Sequence, residues 1–150
     1  MSKPVVLFLC EGNSARSQMA EAFLRKHAGN RFEIHSAGLN PRDIHPLTLR
    51  VMDEVGISLQ GHRSKSLTEY LGKLAVRHVI IVCEYDENSC PHVWPFTRHT
   101  IHWPFEDPAA AEGSERERLD RFRAVRNAIE ELIVQWVRRG GADAEEPRLS

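Results

Sequence analysis

The feature that most constrains the fold is an unbroken apolar run near the start of the chain, Pro4 to Leu9 (PVVLFL), which ends directly at Cys10. Such a run is typical of a β-strand that is buried on both faces, as in a parallel sheet covered by helices. A polar loop leads from Cys10 to Arg16, and a helical pattern of apolar residues starts at Ser17. The chain therefore opens as strand, loop and helix, the first unit of an α/β fold.

The same alternation continues along the chain. Three more strands are predicted, at 32–37, 78–83 and 100–103, and two more helices, at 45–56 and 114–140, the second of which starts with a capping box of Ser114 and Glu117. We expect an α/β three-layer sandwich in which helices flank a four-stranded parallel sheet. Residues 1–140 are expected to form a single catalytic domain, and residues 141–150 a disordered tail.

Composition excludes several classes of protein. The 150 residues carry 20 basic and 21 acidic side chains, a formal net charge of -1, so nothing in the overall charge favours nucleic acid or an anionic membrane as a partner. No apolar run approaches the roughly 18 residues of a membrane span, and we expect a cytoplasmic monomer. Three cysteines, an odd number, do not make a disulfide scaffold. In a reducing compartment they are core residues, metal ligands or redox-active groups.

The loop after the first strand has the chemistry of an oxyanion site with a nucleophile beneath it. Backbone N–H groups of such a loop, backed by a helix N-terminus, form a cradle for a tetrahedral oxyanion, and the Arg16 guanidinium can bind two of its oxygens. The positive field favours the thiolate form of Cys10, to which the Ser17 hydroxyl can donate a hydrogen bond. We assign oxyanion binding to Glu11, Gly12, Asn13, Ser14, Ala15 and Arg16. A half-buried cysteine in an ordinary strand-to-helix turn is the alternative.

The stretch from Cys10 to Phe23 (CEGNSARSQMAEAF) resembles the phosphate-binding loop that low-molecular-weight protein tyrosine phosphatases share with thioredoxin-coupled arsenate reductases. The similarity continues through residues 35–38 (HSAG) and reaches Asp107-Pro108, so that it covers most of residues 4–136. In both families an aspartate at this Asp-Pro is the general acid that protonates the departing oxygen, which implies that role for Asp107. The alternative is that Asp107 only begins a turn before Pro108 and has no catalytic role.

The two remaining cysteines separate the two activities. Cys83 is the last residue of the predicted third strand, at the same sheet edge as Cys10, and a disulfide with Cys90 is sterically feasible; arsenate reductases carry such a pair here. Burial in the core remains an alternative for Cys83, and a zinc site with His92 and His99 is another, although the spacing fits no common zinc template.

The resemblance implies reduction of arsenate to arsenite. Cys10 attacks the arsenic, a Cys10–Cys83 disulfide forms and then a Cys83–Cys90 disulfide, and thioredoxin reduces the latter. Phosphate or sulfate would mimic the substrate, weak phosphatase activity would remain, and neither a bound cofactor nor a metal is expected. The alternative is a phosphatase that hydrolyses aryl phosphate esters through a Cys10 phosphocysteine.

Three departures from these families bear on that choice. Many arsenate reductases have a further cysteine where this chain has Ala15, a change that we do not expect to stop the chemistry. The phosphatases usually place aromatic residues after the Asp-Pro, where this chain has three alanines, 109–111. Some family members bind potassium through residues that match Asn13, Glu21 and Ser36 and an acid where this chain has Lys65. A Lys65–Glu21 ion pair in place of the cation predicts that potassium is not required.

Overall fold

The computed structural model describes residues 3–84 and 99–141. It confirms the predicted α/β fold with a four-stranded parallel sheet. The strands are β1 (Val5–Cys10), β2 (Glu33–Gly38), β3 (His78–Ile81) and β4 (His99–His102), and the helices are α1 (Arg16–Ala28), α2 (Pro46–Glu54) and α3 (Glu115–Arg138). The final residues of the predicted tail, 142–150, lie outside the described residues.

The sheet order is β2-β1-β3-β4, so β1 is an interior strand with a parallel neighbour on each side. Four consecutive residues of β1, Val6 to Leu9, are completely buried, which requires that both faces of the sheet be covered there. Helix α3 packs against α1 and α2, and its Trp136 stacks on Phe32 with ring centroids 5.4 Å apart. Strand β1 is therefore paired on both sides and covered on both faces, and Cys10 is its last residue.

The strand order also locates a crevice. The chain leaves β1 towards β2 on one side and later enters β3 on the other side, so the carboxyl ends of β1 and β3 flank a topological switch point, where ligands bind in open α/β sheets. Leu9 pairs with Ile81 in the sheet, which puts Cys10 beside the chain that continues from β3.

The third strand is shorter than predicted. It ends at Ile81 rather than Cys83, although the Val82 N–H still donates to Leu9 O at 2.9 Å. The reason is that β1 itself turns into the loop after Cys10, so no partner strand continues alongside Cys83. Elsewhere the helix starts follow their capping signals: Ser114 and Glu117 form the predicted capping box of α3, and Pro46 is the first residue of α2.

Within the two described stretches of chain, no helix combines the length and the apolar character that crossing a membrane requires.

Candidate active site

The loop between β1 and α1 turns its backbone carbonyl groups outward. Each carbonyl from Cys10 to Ser14 accepts a hydrogen bond from a residue later in the chain. The bonds are Leu39 N–H to Cys10 O (3.3 Å), Asn40 N–H to Glu11 O (2.8 Å), Arg42 N–H to Gly12 O (2.9 Å), Ser64 Oγ–H to Asn13 O (2.9 Å) and His45 N–H to Ser14 O (3.0 Å). Because the C=O and N–H of one peptide unit point in opposite directions, the N–H groups of residues 11–15 face the inside of the loop. The loop thus presents the N–H-lined concavity predicted for an oxyanion.

The start of α1 adds to this concavity. Ala15 is the N-cap residue of α1, and its methyl side chain cannot accept a hydrogen bond from the first turn. The first N–H groups of the helix, with the positive end of its dipole, are therefore not capped by this side chain and favour a bound anion. Arg16 and Ser17 are the first two helical residues, which fixes both side chains beside the loop.

Cys10 lies at the floor of the loop, with only 2% of its surface exposed. Two groups contact its sulfur: the Asn13 N–H donates to Cys10 Sγ at 3.1 Å, and Ser17 Oγ lies 2.8 Å from it. Both contacts stabilise a thiolate when the hydroxyl donates, and the predicted bond between Ser17 and the sulfur is confirmed. The sulfur therefore lies beneath the concavity with hydrogen-bond donors directed at it.

The side chain of Asn13 favours Ser17 as the donor in the bond to Cys10. The Asn13 amide nitrogen donates to Ser17 Oγ at 2.8 Å and to Ser36 Oγ at 2.9 Å, while its carbonyl oxygen accepts from the Lys65 N–H at 2.8 Å. If the amide were flipped, its NH₂ group would face the Lys65 N–H, and two donors would meet without an acceptor. The orientation with Oδ1 towards Lys65 is therefore the one that satisfies both groups. Ser17 Oγ accepts from Asn13 and keeps its own proton available to donate to the sulfur of Cys10.

Arg16 connects the loop to the segment that carries the predicted general acid. Its guanidinium donates to Phe105 O at 3.0 Å and lies 3.9 Å from Asp107 Oδ2, and only 3% of the side chain is exposed. The other carboxylate oxygen, Asp107 Oδ1, accepts from the Ala109 N–H at 3.0 Å and starts a short 3₁₀ turn at Pro108. Asp107 therefore does begin a turn, as the alternative held, and it also faces the arginine of the loop.

Cys83 lies two residues beyond β3 and is completely buried. It is disulfide-bonded, whereas Cys10 is a free thiol. Its backbone carbonyl accepts a hydrogen bond from His102 Nε2 at 2.5 Å, which ties it to the end of β4. Cys90, and His92 of the zinc alternative, lie outside the described residues.

The Lys65–Glu21 ion pair expected from the sequence is present. Lys65 Nζ lies 3.6 Å from Glu21 Oε1, and both side chains are largely buried. Burial raises the pKa of Glu21, but Lys65, the Ser36 hydroxyl and Arg25 together hold that pKa below its ordinary value. Ser36 donates to Glu21 and accepts from Asn13, so the ion pair is connected to the loop through two hydrogen bonds.

Exchange of potassium for sodium at constant ionic strength is accordingly expected to leave the reaction rate unchanged. Replacing Lys65 by methionine removes one of the two cations beside Glu21 and leaves Arg25 as the other. The free energy of unfolding should therefore fall by about 2 kcal/mol. Urea unfolding measures this, with Lys73→Met on the exposed surface as the matched control. A severalfold rise of the wild-type reaction rate when potassium replaces sodium would contradict the assignment of Lys65 to the place of the cation.

Gly38, the last residue of β2, has to be a glycine because the backbone of the loop passes very close to it. A methyl group on Gly38 would lie 2.6 Å from Glu11 O and 2.8 Å from Asn13 N, and both are backbone atoms that cannot swing aside. We expect Gly38→Ala to weaken phosphate binding at least about tenfold and to destabilise the fold by roughly 1–3 kcal/mol. Titration calorimetry and urea unfolding measure the two effects.

The matched control for Gly38→Ala is Gly72→Ala. Gly72 has a positive φ of 75° and open space around it, so an alanine there should destabilise the fold by about 1 kcal/mol and leave phosphate binding intact. Equal loss of phosphate affinity in the two variants would contradict the role assigned to Gly38.

Several residues that hold the loop were missed by sequence reasoning. The segment 39–48 and Ser64 supply the donors for the loop carbonyls, mostly through backbone N–H groups that carry no side-chain signature. Gln18 is completely buried and bonds Asn13, yet in the sequence it is one polar residue in the first turn of a helix. Only burial separates it from a solvent-exposed glutamine.

Comparison with known proteins identifies the family of the chain. The family model of the low molecular weight phosphotyrosine protein phosphatases matches residues 5–146. An arsenate reductase of Halalkalibacterium halodurans is 36% identical over 140 residues, which cover 93% of this chain and 99% of that one.

Two solved structures extend the likeness to three dimensions. An arsenate reductase in its phosphate-binding state has a TM-score of 0.76 at 29% identity, with 91% of this chain and 98% of that one covered. A thioredoxin-dependent arsenate reductase of Corynebacterium glutamicum has a TM-score of 0.59 at 30% identity, with 89% and 63% covered. The chain belongs to the low molecular weight phosphotyrosine protein phosphatase family, together with proteins named arsenate reductase.

Proposed function

We propose that the protein is an enzyme that reduces arsenate to arsenite with electrons from its own thiols, and that thioredoxin restores them. The observation that carries the proposal is the meeting of two cysteines at one switch point: Cys10 at the end of β1, inside an N–H-lined loop, and Cys83 just beyond the neighbouring β3. Hydrolysis of a bound oxyanion ester needs the first of these alone. Reduction needs both.

The first step is attack on the bound oxyanion. Arsenate docks in the loop of residues 11–16, held by backbone N–H groups and by the Arg16 guanidinium. The Cys10 thiolate forms an S–As bond, and an As–O bond breaks. Asp107 gives its proton to the departing oxygen, which leaves as water. Ser17 and the Asn13 N–H, which contact the sulfur, orient it for this attack.

Reduction follows in the second step. The Cys83 thiolate attacks the sulfur of Cys10, and the electron pair of the S–As bond remains on arsenic, which departs as arsenite. The product is a Cys10–Cys83 disulfide. Cys90 then attacks the sulfur of Cys83 and releases Cys10 as a thiolate, so that the two electrons come from Cys83 and Cys90. A disulfide-bonded Cys83 together with a free Cys10 is the state in which these steps end.

The partner and the compartment follow from the electron balance. A dithiol protein must reduce the Cys83–Cys90 disulfide after each turnover, and one of the similar structures is a thioredoxin-dependent arsenate reductase. The scheme requires no bound cofactor or metal. It places the enzyme in a reducing cytoplasm, where free thiols persist, and we take the monomer as its working form.

Hydrolysis of aryl phosphate esters through a Cys10 phosphocysteine is not carried forward as a second function. Residues 109–111, directly after Asp107-Pro108, are alanines, and their methyl groups offer no ring to stack on an aryl phosphate. A small inorganic oxyanion needs no such ring.

A stoichiometric assay without thioredoxin tests the proposal. Fully reduced enzyme mixed with excess arsenate should release one arsenite per chain and then stop, and peptide mapping should find Cys10 as a thiol. Release of phosphate from aryl phosphate esters with no arsenite from arsenate would overturn it.

A further inference from the structure

Gln18, the third residue of α1, is a polar side chain with no exposed surface. Its amide nitrogen lies 3.0 Å from Asn13 Oδ1, 3.2 Å from Asn13 O and 2.9 Å from Arg63 O. His62 Nδ1 lies 3.4 Å from its amide oxygen. The side chain therefore bonds the backbone and the side chain of one loop residue, Asn13, and connects that residue to the segment 62–63.

Asn13 needs such support because of its backbone conformation. With φ at 48° it is the one non-glycine residue of the described chain in the left-handed region, which L-residues rarely adopt. Bonds to both of its oxygen atoms restrain the two sides of this residue at once. The Lys65 N–H supplies one further bond to Oδ1 and the Ser64 hydroxyl one to the backbone carbonyl.

Asn13 in turn controls both hydrogen bonds to the sulfur of Cys10. Its N–H donates directly to Sγ, and its side chain donates to Ser17 Oγ, which leaves the Ser17 proton for the sulfur. We propose that Gln18 is a positioning residue for Cys10: by holding Asn13 in the left-handed conformation, it keeps two donors directed at the nucleophile. This inference rests on the proposed function only in taking Cys10 to be the nucleophile.

Replacing a positioning residue has a different effect from replacing a residue that only fills space in α1. A space-filling residue would change stability when replaced and leave the reactivity of Cys10 alone. A positioning residue changes the fraction of Cys10 that is thiolate at a given pH, because two donors stabilise the anion more than the thiol. The charged and titratable groups around the loop stay unchanged in every variant below: Arg16, Asp107, the Arg42–Glu11 and Lys65–Glu21 ion pairs, His45 and His62.

The test is the pH profile of Cys10 alkylation by iodoacetamide. A Cys83→Ser/Cys90→Ser background leaves Cys10 as the only thiol, so the readout needs neither arsenate nor thioredoxin. Gln18→Met keeps the shape of the side chain and removes its donors. We expect the midpoint of the profile to rise by about 0.5–1 pH unit, and the rate well below the midpoint to fall about 3- to 10-fold. Gln135→Met on α3, where Gln135 bonds Glu131, is the matched control and should leave the profile in place.

A double-mutant cycle locates the effect. If Gln18 acts through Asn13 and Ser17, then Gln18→Met should shift the profile clearly less in a Ser17→Ala background than alone. Should Gln18→Met fail to fold, Gln18→Leu removes the same donors without adding a charge and should also raise the midpoint. A profile that superimposes on that of the parent in the folded variant would overturn the inference, as would full additivity with Ser17→Ala. Neither result depends on whether arsenate is the substrate.

Discussion

Replacing Cys83 by serine is expected to lower multiple-turnover reduction of arsenate by about three orders of magnitude or more. The serine hydroxyl cannot act as the thiolate that attacks the Cys10 sulfur, so the S–As bond formed in the first step has no group to break it reductively. Cys10, its loop and its contacts with Asn13 and Ser17 are unchanged, and alkylation of Cys10 should proceed as before. Arsenite production over many turnovers measures the loss.

The control for this variant is Cys90→Ser, in which the reaction should stop one step later. Its single turnover should release arsenite and leave a Cys10–Cys83 disulfide, which peptide mapping detects. Cys83→Ser should show no such bond. Full turnover in either variant would contradict the relay and leave Cys83 as a buried core cysteine.

Replacing Cys10 by serine is expected to remove the chemistry and keep the binding. Activity should fall by about four orders of magnitude or more, since a serine hydroxyl is a far weaker nucleophile than a thiolate in this loop. The N–H groups of residues 11–15 and the Arg16 guanidinium remain, and the negative charge of the thiolate is gone. Phosphate should therefore bind at least as tightly as in the wild type, as measured by titration calorimetry.

Arg16→Lys is the complementary variant to Cys10→Ser. It keeps the nucleophile and the positive charge but loses the planar fork that contacts two oxygens, so phosphate affinity should fall while Cys10 stays reactive. A folded Cys10→Ser protein that no longer binds phosphate would place the oxyanion somewhere other than this loop.

The centre of the fold was predictable because β1 and β3 are apolar runs in the sequence. The run that includes Val6 to Leu9 is typical of a strand buried on both faces, and this placed Cys10 at the carboxyl end of a parallel sheet, where ligands bind. Cys83 was placed at the same edge by the same reasoning. The strand before it proved two residues shorter, because its neighbour β1 leaves the sheet at Cys10.

The support of the loop could not be predicted, because it depends on contacts between distant parts of the chain. The Leu39, Asn40 and Arg42 N–H groups that hold the loop carbonyls are backbone donors, which every non-proline residue has. Gln18 matters because it is buried against Asn13, and burial is set by tertiary packing. The residues to which we assign the proposed chemistry were recognisable in the sequence, whereas the contacts that hold them in place are visible only in the fold.

The most direct test of the central claim is a coupled assay with thioredoxin, thioredoxin reductase and NADPH. The account predicts that arsenate drives continuous oxidation of NADPH, one NADPH for each arsenite formed, and that omitting thioredoxin stops it after one turnover. Oxidation of NADPH that does not depend on arsenate, or arsenite formation that continues without thioredoxin or another dithiol, would contradict the account.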